Sequence, residues 1–123
     1  MQAGIFIREF YRVHRGESDT LPAMADGGES LSDIGGRIRV LREALGYKSA
    51  TLFAAFVGWS PQQLSNYEKG QKRPEVSMAI LLCKKTAVTL DWIYRGETAG
   101  LPLRMASLIQ DYQERLTSAR AEE

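Results

Sequence analysis

The sequence has very few of the residues that metal sites, disulfides and most catalytic centres require. Its 123 residues include one cysteine and one histidine, which excludes an internal disulfide and a Cys/His metal cluster. It shows no Ser/His/Asp set, no paired carboxylates and no glycine-rich phosphate loop after a strand, and no apolar run is long enough to span a bilayer. These absences predict a protein that is not an enzyme, binds no cofactor or metal and crosses no membrane.

The remaining bulk features are those of an intracellular protein with one compact domain and short extensions. Residues 1–8 lack the basic and then apolar order of a secretory signal. Cys83 lies among apolar residues, which favours a small core residue over a reactive thiol. His14 has no partner nearby in the sequence. We therefore expect a cytoplasmic protein.

The formal net charge of +1 hides an uneven distribution. Between Ile34 and Arg73 seven basic residues accompany two acidic ones, which gives +5 for that window and −4 for the rest of the chain. A basic module of this kind fits a polyanionic partner, whereas a solvated helix surface would have a similar composition. Charge alone leaves both interpretations open.

Composition separates the chain into three segments. Residues 1–30 are an arm and linker, in which Ile5–Val13 suits a short strand or an amphipathic helical turn and residues 16–30 are rich in turn formers. Residues 31–97 carry helical periodicity and form the predicted domain. Residues 98–123 contain one further amphipathic helix.

The first predicted helix has Ser32 as its N-cap and Asp33 in its first turn. Its apolar residues recur at helical spacing (Ile34, Ile38, Leu41 and Leu45), and Gly46 ends it. Gly35 and Gly36 lie in the first turn. Each costs roughly 1 kcal/mol relative to alanine there, but a glycine admits the close approach of another backbone.

The segment from Ser49 to Gly70 predicts two short helices joined by a tight turn. Ser49 can cap the first helix, Gly58 marks the turn, and Ser60-Pro61 begins the second, because proline is tolerated at the first helical position. The second helix carries amides on its outer face. A major groove admits one helix, and glutamine and asparagine can hydrogen-bond base edges there.

Three more helices complete a predicted all-α fold with no strand in its core. They are a fourth helix from about Glu75 to Thr86 with Met78, Ala79, Ile80, Leu81 and Leu82 on its apolar face; a fifth from Leu90 to Arg95, capped by Thr89; and a last one from Pro102 with the stripe Met105, Leu108, Ile109, Tyr112 and Leu116.

The order of these helices, caps and turns along the chain resembles that of the Cro/repressor-type helix-turn-helix family of bacteria and their phages, also called XRE-like or lambda-repressor-like. The resemblance covers about half of the chain and is carried by Phe53-Ala54, Gly58, Ser60-Pro61, Leu64-Ser65, Tyr67-Glu68-Lys69-Gly70, Lys72-Arg73-Pro74 and Leu90-Asp91-Trp92-Ile93-Tyr94-Arg95-Gly96. It implies a five-helix lambda-repressor-like domain, extended here by a C-terminal helix and by a flexible or strand-like N-terminal arm. Leu64 and Tyr67 would then anchor the recognition helix to the core, and Glu68 would brace the helix junction.

Residues near the N-terminus of such a recognition helix meet base edges. Gln62 and Asn66 lie four apart on one helical face and are the predicted direct readers. Either amide can pair with adenine, worth roughly 1–3 kcal/mol of discrimination. Gln63 is a weaker candidate that could reach a base or a phosphate.

The resemblance also implies contacts to the sugar-phosphate backbone. We assign these to Ser49, Ser60, Ser65, Lys69, Lys72 and Arg73. The free N–H groups at the start of the recognition helix can receive a phosphate, and the loop after it would run along the backbone. Arg37, Arg39 and Arg42 of the first helix could add a contact.

The sequence departs from the family at the start of the second helix, where Ser49-Ala50 replaces the usual Thr/Ser-Gln. The cap is kept, but the amide that would touch a phosphate and brace the recognition helix is lost. This departure supports an alternative, a protein-interaction module that has kept the fold without DNA binding.

The favoured function is a transcriptional regulator of bacterial or phage origin, a repressor, bound to an operator in double-stranded DNA and associated with the nucleoid. An alternative is the antitoxin of a toxin–antitoxin pair, with the terminal segments binding a protein partner. Palindromic operators demand a homodimer. Its interface could involve the C-terminal helix, which otherwise folds back on the core, or Ile5–Val13.

Overall fold

A computed structural model describes residues 30–121 of the chain. The helices within this range are α1 (Leu31–Ala44), α2 (Ala50–Val57), α3 (Pro61–Glu68), α4 (Val76–Thr86), α5 (Leu90–Arg95) and α6 (Leu103–Ala121), and the range contains no strand. The predicted all-α fold with an appended C-terminal helix is confirmed. The prediction for Ile5–Val13 lies outside the described residues.

The first helix begins two residues earlier than its predicted cap implies. Ser30, not Ser32, is the N-cap: its Oγ accepts a hydrogen bond from Asp33 N at 3.0 Å, and the Asp33 carboxylate accepts one from Ser30 N at 3.4 Å. The prediction of Ser32 was wrong because the three-residue spacing from Ser30 to Asp33 satisfies two free N–H groups reciprocally.

One continuous hydrophobic core is shared by all six helices of the described range. Its fully buried side chains include Ile34, Ile38 and Leu41 of α1, Phe53 and Val57 of α2, Leu64 of α3, Leu82 of α4 and Ile93 of α5. Trp59 and Trp92 are buried, and Trp59 Nε1 donates to Met78 O at 3.1 Å. The indole therefore ties the turn before α3 to the first turn of α4.

The N-terminal turn of α1 lies directly against the C-terminal end of α3. A Cβ at Gly35 would lie 2.2 Å from Tyr67 O and 2.8 Å from Glu68 O, so only glycine permits this crossing. The expected close approach is confirmed at Gly35 and is absent at Gly36, where a Cβ would meet nothing within 4 Å. Helix α3 is therefore held by backbone contact at its C-terminal end.

Helix α4 differs from the prediction on one side. Ala79 and Leu82 are buried, whereas Ile80 is exposed, so Ile80 does not belong to the inward face as predicted. The helix packs against α2 and α5, which together cover a narrower stripe than the run of apolar residues suggested. Glu75 precedes the helix as its N-cap without a side-chain hydrogen bond.

The C-terminal helix folds back over the core and packs on α1. Met105 and Ile109 are buried in the shared core, and the Tyr112 hydroxyl donates a hydrogen bond to Glu43 Oε1. The C-terminal helix therefore takes the folded-back arrangement that the sequence left open; its role in a dimer stays a prediction. No helix in residues 30–121 combines the length and apolarity needed to cross a membrane.

Candidate nucleic-acid interface

The turn between α2 and α3 has the geometry that its residues predict. Gly58 adopts the left-handed conformation (φ 101°), and the N–H groups of Gly58 and Trp59 both donate to Ala54 O at 2.8 Å. Ala54 is completely buried, because α2 and α3 approach closely at this point. The turn thereby fixes the angle at which α3 leaves the core.

Helix α3 has one buried and one exposed side. Leu64 and Tyr67 face the core, and the Tyr67 ring meets Trp59 edge-on with their centroids 5.0 Å apart. Gln62 is exposed, and Ser65 and Asn66 are half-buried. The inward anchors thus turn the amides toward the outer face of the helix.

The two predicted base readers are hydrogen-bonded to each other. Gln62 Nε2 donates to Asn66 Oδ1 at 3.0 Å across one turn of α3. Such a bond restricts the rotamers of both side chains, so that they meet a ligand as one unit. The structure brings these two residues together on the outer face.

Gln63 is turned away from this pair in the free protein. Its Oε1 accepts from Ser60 N at 2.9 Å, while Ser60 Oγ accepts from Gln63 N at 3.0 Å, which completes a capping box. Its Nε2 lies 3.6 Å from the sulfur of Met78. To contact a base, the Gln63 side chain would have to give up its bond to Ser60 N, although the Ser60 cap on Gln63 N would remain.

The three serines assigned to phosphates occupy different environments. Ser49 and Ser60 are exposed N-caps, and their oxygens accept from Leu52 N at 3.2 Å and from Gln63 N. Each hydroxyl hydrogen can therefore still donate to an anion beside the helix N-terminus. Ser65 is half-buried in the middle of α3.

The predicted phosphate-binding cations form an exposed, well-fixed loop after α3. Lys69 is the helix C-cap, and Lys72 and Arg73 follow it with exposed side chains. The loop folds back on the helix, since Gln71 N donates to Asn66 O at 2.9 Å and Lys72 N to the same oxygen at 3.3 Å. Backbone hydrogen bonds thus hold these cations close to the amide pair.

The far side of the loop is held by the last helix of the domain. The Tyr94 hydroxyl donates to Pro74 O at 2.6 Å, and Pro74 is buried. Burial raises the pKa of Tyr94, so its hydroxyl keeps its proton and remains a donor further into the alkaline range than an exposed tyrosine does.

Of the three arginines of α1, Arg42 is engaged within the protein in an ion pair, which revises its predicted role. Arg42 is 7% exposed and pairs with Glu68, with Nε 2.8 Å from Oε2 and Nη2 3.1 Å from Oε1. This bidentate bond raises the Arg42 pKa. Arg37 Nε donates to Ile93 O at 3.1 Å, and Arg39 Nε lies 3.9 Å from Glu68 Oε1.

Arg42 is the residue whose role the sequence did not reveal. A phosphate contact from Arg42 is ruled out by its burial and by its ion pair, whereas the predicted bracing role of Glu68 is confirmed. Helical spacing placed Arg42 beside Leu41 at the edge of the apolar stripe. Its partner lies 26 residues away, so only the packing of α1 on α3 could identify the pair.

Residues 38–93, from within α1 to within α5, match the family model described as Helix-turn-helix. Over this range, which is slightly less than half of the chain, the protein is similar to this family. The family is one of DNA-binding regulators of the XRE, lambda-repressor-like type, and the matched range includes α2, α3 and the cationic loop. We found no significant match to the chain among curated proteins or among solved structures.

Proposed function

We propose that this helix-turn-helix chain is a transcriptional repressor that recognises specific duplex sites by placing α3 in the major groove. The observation that carries the proposal is the exposed Gln62–Asn66 amide pair, which lies on the side of α3 opposite its core anchors. The residues of the pair are four apart and near the helix N-terminus, where residues of a recognition helix reach base edges.

The hydrogen-bonding capacity of Gln62 fits adenine. A primary amide has two N–H donors and one carbonyl acceptor, and one donor is used on Asn66 Oδ1. The remaining N–H and the carbonyl oxygen match the N7 acceptor and the N6 donor of adenine in the major groove. Asn66 keeps its own amide donors for a neighbouring base.

The groups around the pair suit the phosphate backbone. The N-termini of α2 and α3, with Ser49 and Ser60, offer N–H groups and hydroxyls, and the exposed Lys69, Lys72 and Arg73 supply positive charge. Ser65 and Gln63 are assigned subsidiary contacts, to phosphate and to base respectively. Together these positions would fix the register of α3 along the groove.

Repression would follow when the protein occupies a promoter and excludes polymerase. We assign DNA binding to residues 31–97 and propose a homodimer, because two half-sites one helical turn apart require two copies of α3. Residues 1–30 or 98–123 would contribute the dimer contact or bind a protein partner, as in the antitoxin variant. The working place of such a protein is the cytoplasm, on the nucleoid.

One observation favours a second candidate, a protein-interaction module. Ala50 is exposed at the first position of α2, where family members carry the amide that touches a phosphate. A fold that had lost DNA binding would tolerate this change. Binding to random duplex DNA at low salt separates the two: a mobility shift supports the repressor, and its absence supports the interaction module.

The decisive experiment is selection of bound sites from a random duplex library, followed by affinity measurements on the selected and scrambled sites. We expect adenine at positions facing Gln62 and Asn66. Replacing both residues with alanine should remove roughly 1–3 kcal/mol of discrimination for each lost base pairing, with non-specific binding largely kept.

Gln110→Ala is the matched control for this pair. Gln110 is an exposed amide of α6 whose Nε2 donates to Glu114 Oε2 at 3.0 Å, also four residues away. Its loss should leave sequence preference unchanged. Equal weakening of specific and scrambled binding by the Gln62/Asn66 double variant would contradict direct readout.

A further inference from the structure

Glu43 stands between the C-terminal helix and the ion pair that braces α3. Its Oε1 accepts a hydrogen bond from the Tyr112 hydroxyl of α6. Its Oε2 lies 3.9 Å from Arg42 Nη2 and 4.0 Å from Arg39 Nε. One carboxylate therefore contacts a helix outside the matched family range on one side and the arginines of α1 on the other.

Arg42 in turn contacts both borders of the candidate DNA-binding face. Its Nε and Nη2 donate to Glu68, the last residue of α3, and its Nη1 donates to the carbonyl oxygens of Tyr47 at 2.9 Å and Lys48 at 3.2 Å. Those carbonyls immediately precede Ser49, the cap of α2. A single planar guanidinium thus fixes the end of α3 relative to the start of α2.

The two carboxylates near this guanidinium compete for the same cations. Arg39 Nε lies 3.9 Å from Glu68 Oε1 and 4.0 Å from Glu43 Oε2, and Arg42 Nη2 approaches both acids. The Tyr112 hydroxyl satisfies one oxygen of Glu43 and holds it on the α6 side. Without that hydroxyl, Glu43 would lose the contact on the α6 side, and its carboxylate, now 3.9 Å from Arg42 Nη2, would compete more directly with Glu68 for Arg42.

We propose that Tyr112 is a positioning residue for the DNA-binding face. By holding Glu43 Oε1 on the α6 side, it keeps the Glu43 carboxylate at 3.9 Å from Arg42 and leaves the closer contact to Glu68, so that docking of α6 on α1 sets the placement of α3 and of the α2 cap. This inference rests on the proposed DNA-binding function. It also gives the C-terminal helix a regulatory use, since anything that lifts α6 from α1 releases Glu43 and loosens both borders of the face.

Tyr112→Phe tests the proposal because it removes one oxygen and keeps the ring. We expect the Arg42 Nε–H resonance of the DNA-free protein to shift and to exchange faster with solvent. Affinity for the selected site should fall about three- to tenfold, within the range of coupling between contacting groups. Thr117→Val is the matched control, because it removes another hydroxyl of α6, one that donates to Gln113 O within the helix and does not touch Glu43.

The same comparison in a Glu43→Gln background separates positioning from a general loss of stability. The neutral amide still accepts from Tyr112 but does not compete for Arg42, so Glu43→Gln alone should keep or improve affinity. Tyr112→Phe should then change affinity less than about twofold, since the coupled charge is gone. Equal losses in both backgrounds would overturn the proposal.

The DNA-free resonance separates this inference from the function on which it rests. If the Arg42 Nε–H signal is unchanged in Tyr112→Phe, the positioning role of Tyr112 is overturned, whatever the protein binds. If the signal shifts but the protein binds no duplex DNA, the positioning role of Tyr112 is supported and the proposed function is overturned instead.

Discussion

Helices α3 and α6 both expose a hydrogen-bonded polar pair at i,i+4, yet their surroundings differ. In α3 the pair is Gln62–Asn66, both neutral amides, and the cations of the 69–73 loop lie nearby. In α6 the pair is Gln110–Glu114, and the exposed Asp111 adds negative charge. The α3 pair is neutral and lies beside positive charge, whereas the α6 pair includes a carboxylate that the negative charge of phosphate would repel.

The largest expected effect comes from breaking the anchor on the inner side of α3. Leu64 is fully buried, so Leu64→Ala should lower the free energy of unfolding by about 2–5 kcal/mol. Gln62→Ala, on the outer side of the same helix, should change it by less than about 0.5 kcal/mol. Denaturant unfolding of both variants measures the contrast, and similar losses would mean that α3 is not oriented as described.

The crossing of α1 and α3 gives the next effect. Gly35→Ala places a Cβ against the backbone oxygens of Tyr67 and Glu68 and should destabilise by about 1–3 kcal/mol or more. Gly36→Ala, one residue away in open space, should stabilise by up to about 1 kcal/mol. Thermal unfolding measures the Tm of both variants, and shifts in the same direction would contradict the close crossing of α1 and α3.

The salt dependence of DNA binding should separate the cationic loop after α3 from the exposed surface of α6. Replacing Lys72 and Arg73 with alanine should weaken binding to all duplexes and reduce the log–log salt slope by about 1.8, because each phosphate contact contributes about 0.9. The control removes Arg104 and Arg120, exposed cations of α6, and should leave the slope unchanged. Identical salt slopes for the two double variants would contradict the prediction that Lys72 and Arg73 contact phosphates.

The smallest effect concerns alkaline stability. The pKa of Tyr94 is raised above 10.0 mainly by burial, so the folded state holds this proton more tightly than the unfolded chain. Its stabilising contribution is complete below pH 10 and is lost as pH rises through the folded pKa, by at most about 1.4 kcal/mol per pH unit. Tyr94→Phe should therefore flatten the alkaline decline in unfolding free energy; a decline as steep as in the unmodified chain would contradict the assignment.

Local signals predicted much of this architecture. Helical periodicity, the caps Ser49, Ser60 and Thr89 and the turn at Gly58 all appear where the sequence placed them. The first cap was missed because Ser30 and Ser32 both precede helix-forming residues, and reciprocal bonding with Asp33 decides between them. Such a choice depends on side-chain geometry that periodicity does not contain.

Contacts of the candidate site that lie within one helix could be predicted from the sequence, whereas contacts between two helices could not. The Gln62–Asn66 pair follows from i,i+4 spacing alone. The Arg42–Glu68 pair joins α1 to α3, and Tyr112 reaches Glu43 across 69 residues. Those contacts arise from tertiary packing, so the sequence could only suggest that the arginines of α1 were available to DNA.

The most direct test follows the side-chain amide resonances of Gln62, Asn66 and Gln110 while the selected duplex is added. The account predicts that the Gln62 and Asn66 amide protons shift and become protected from solvent, whereas those of Gln110 stay where they were. Unmoved Gln62 and Asn66 signals in a fully formed complex would contradict the claim that this face of α3 reads DNA.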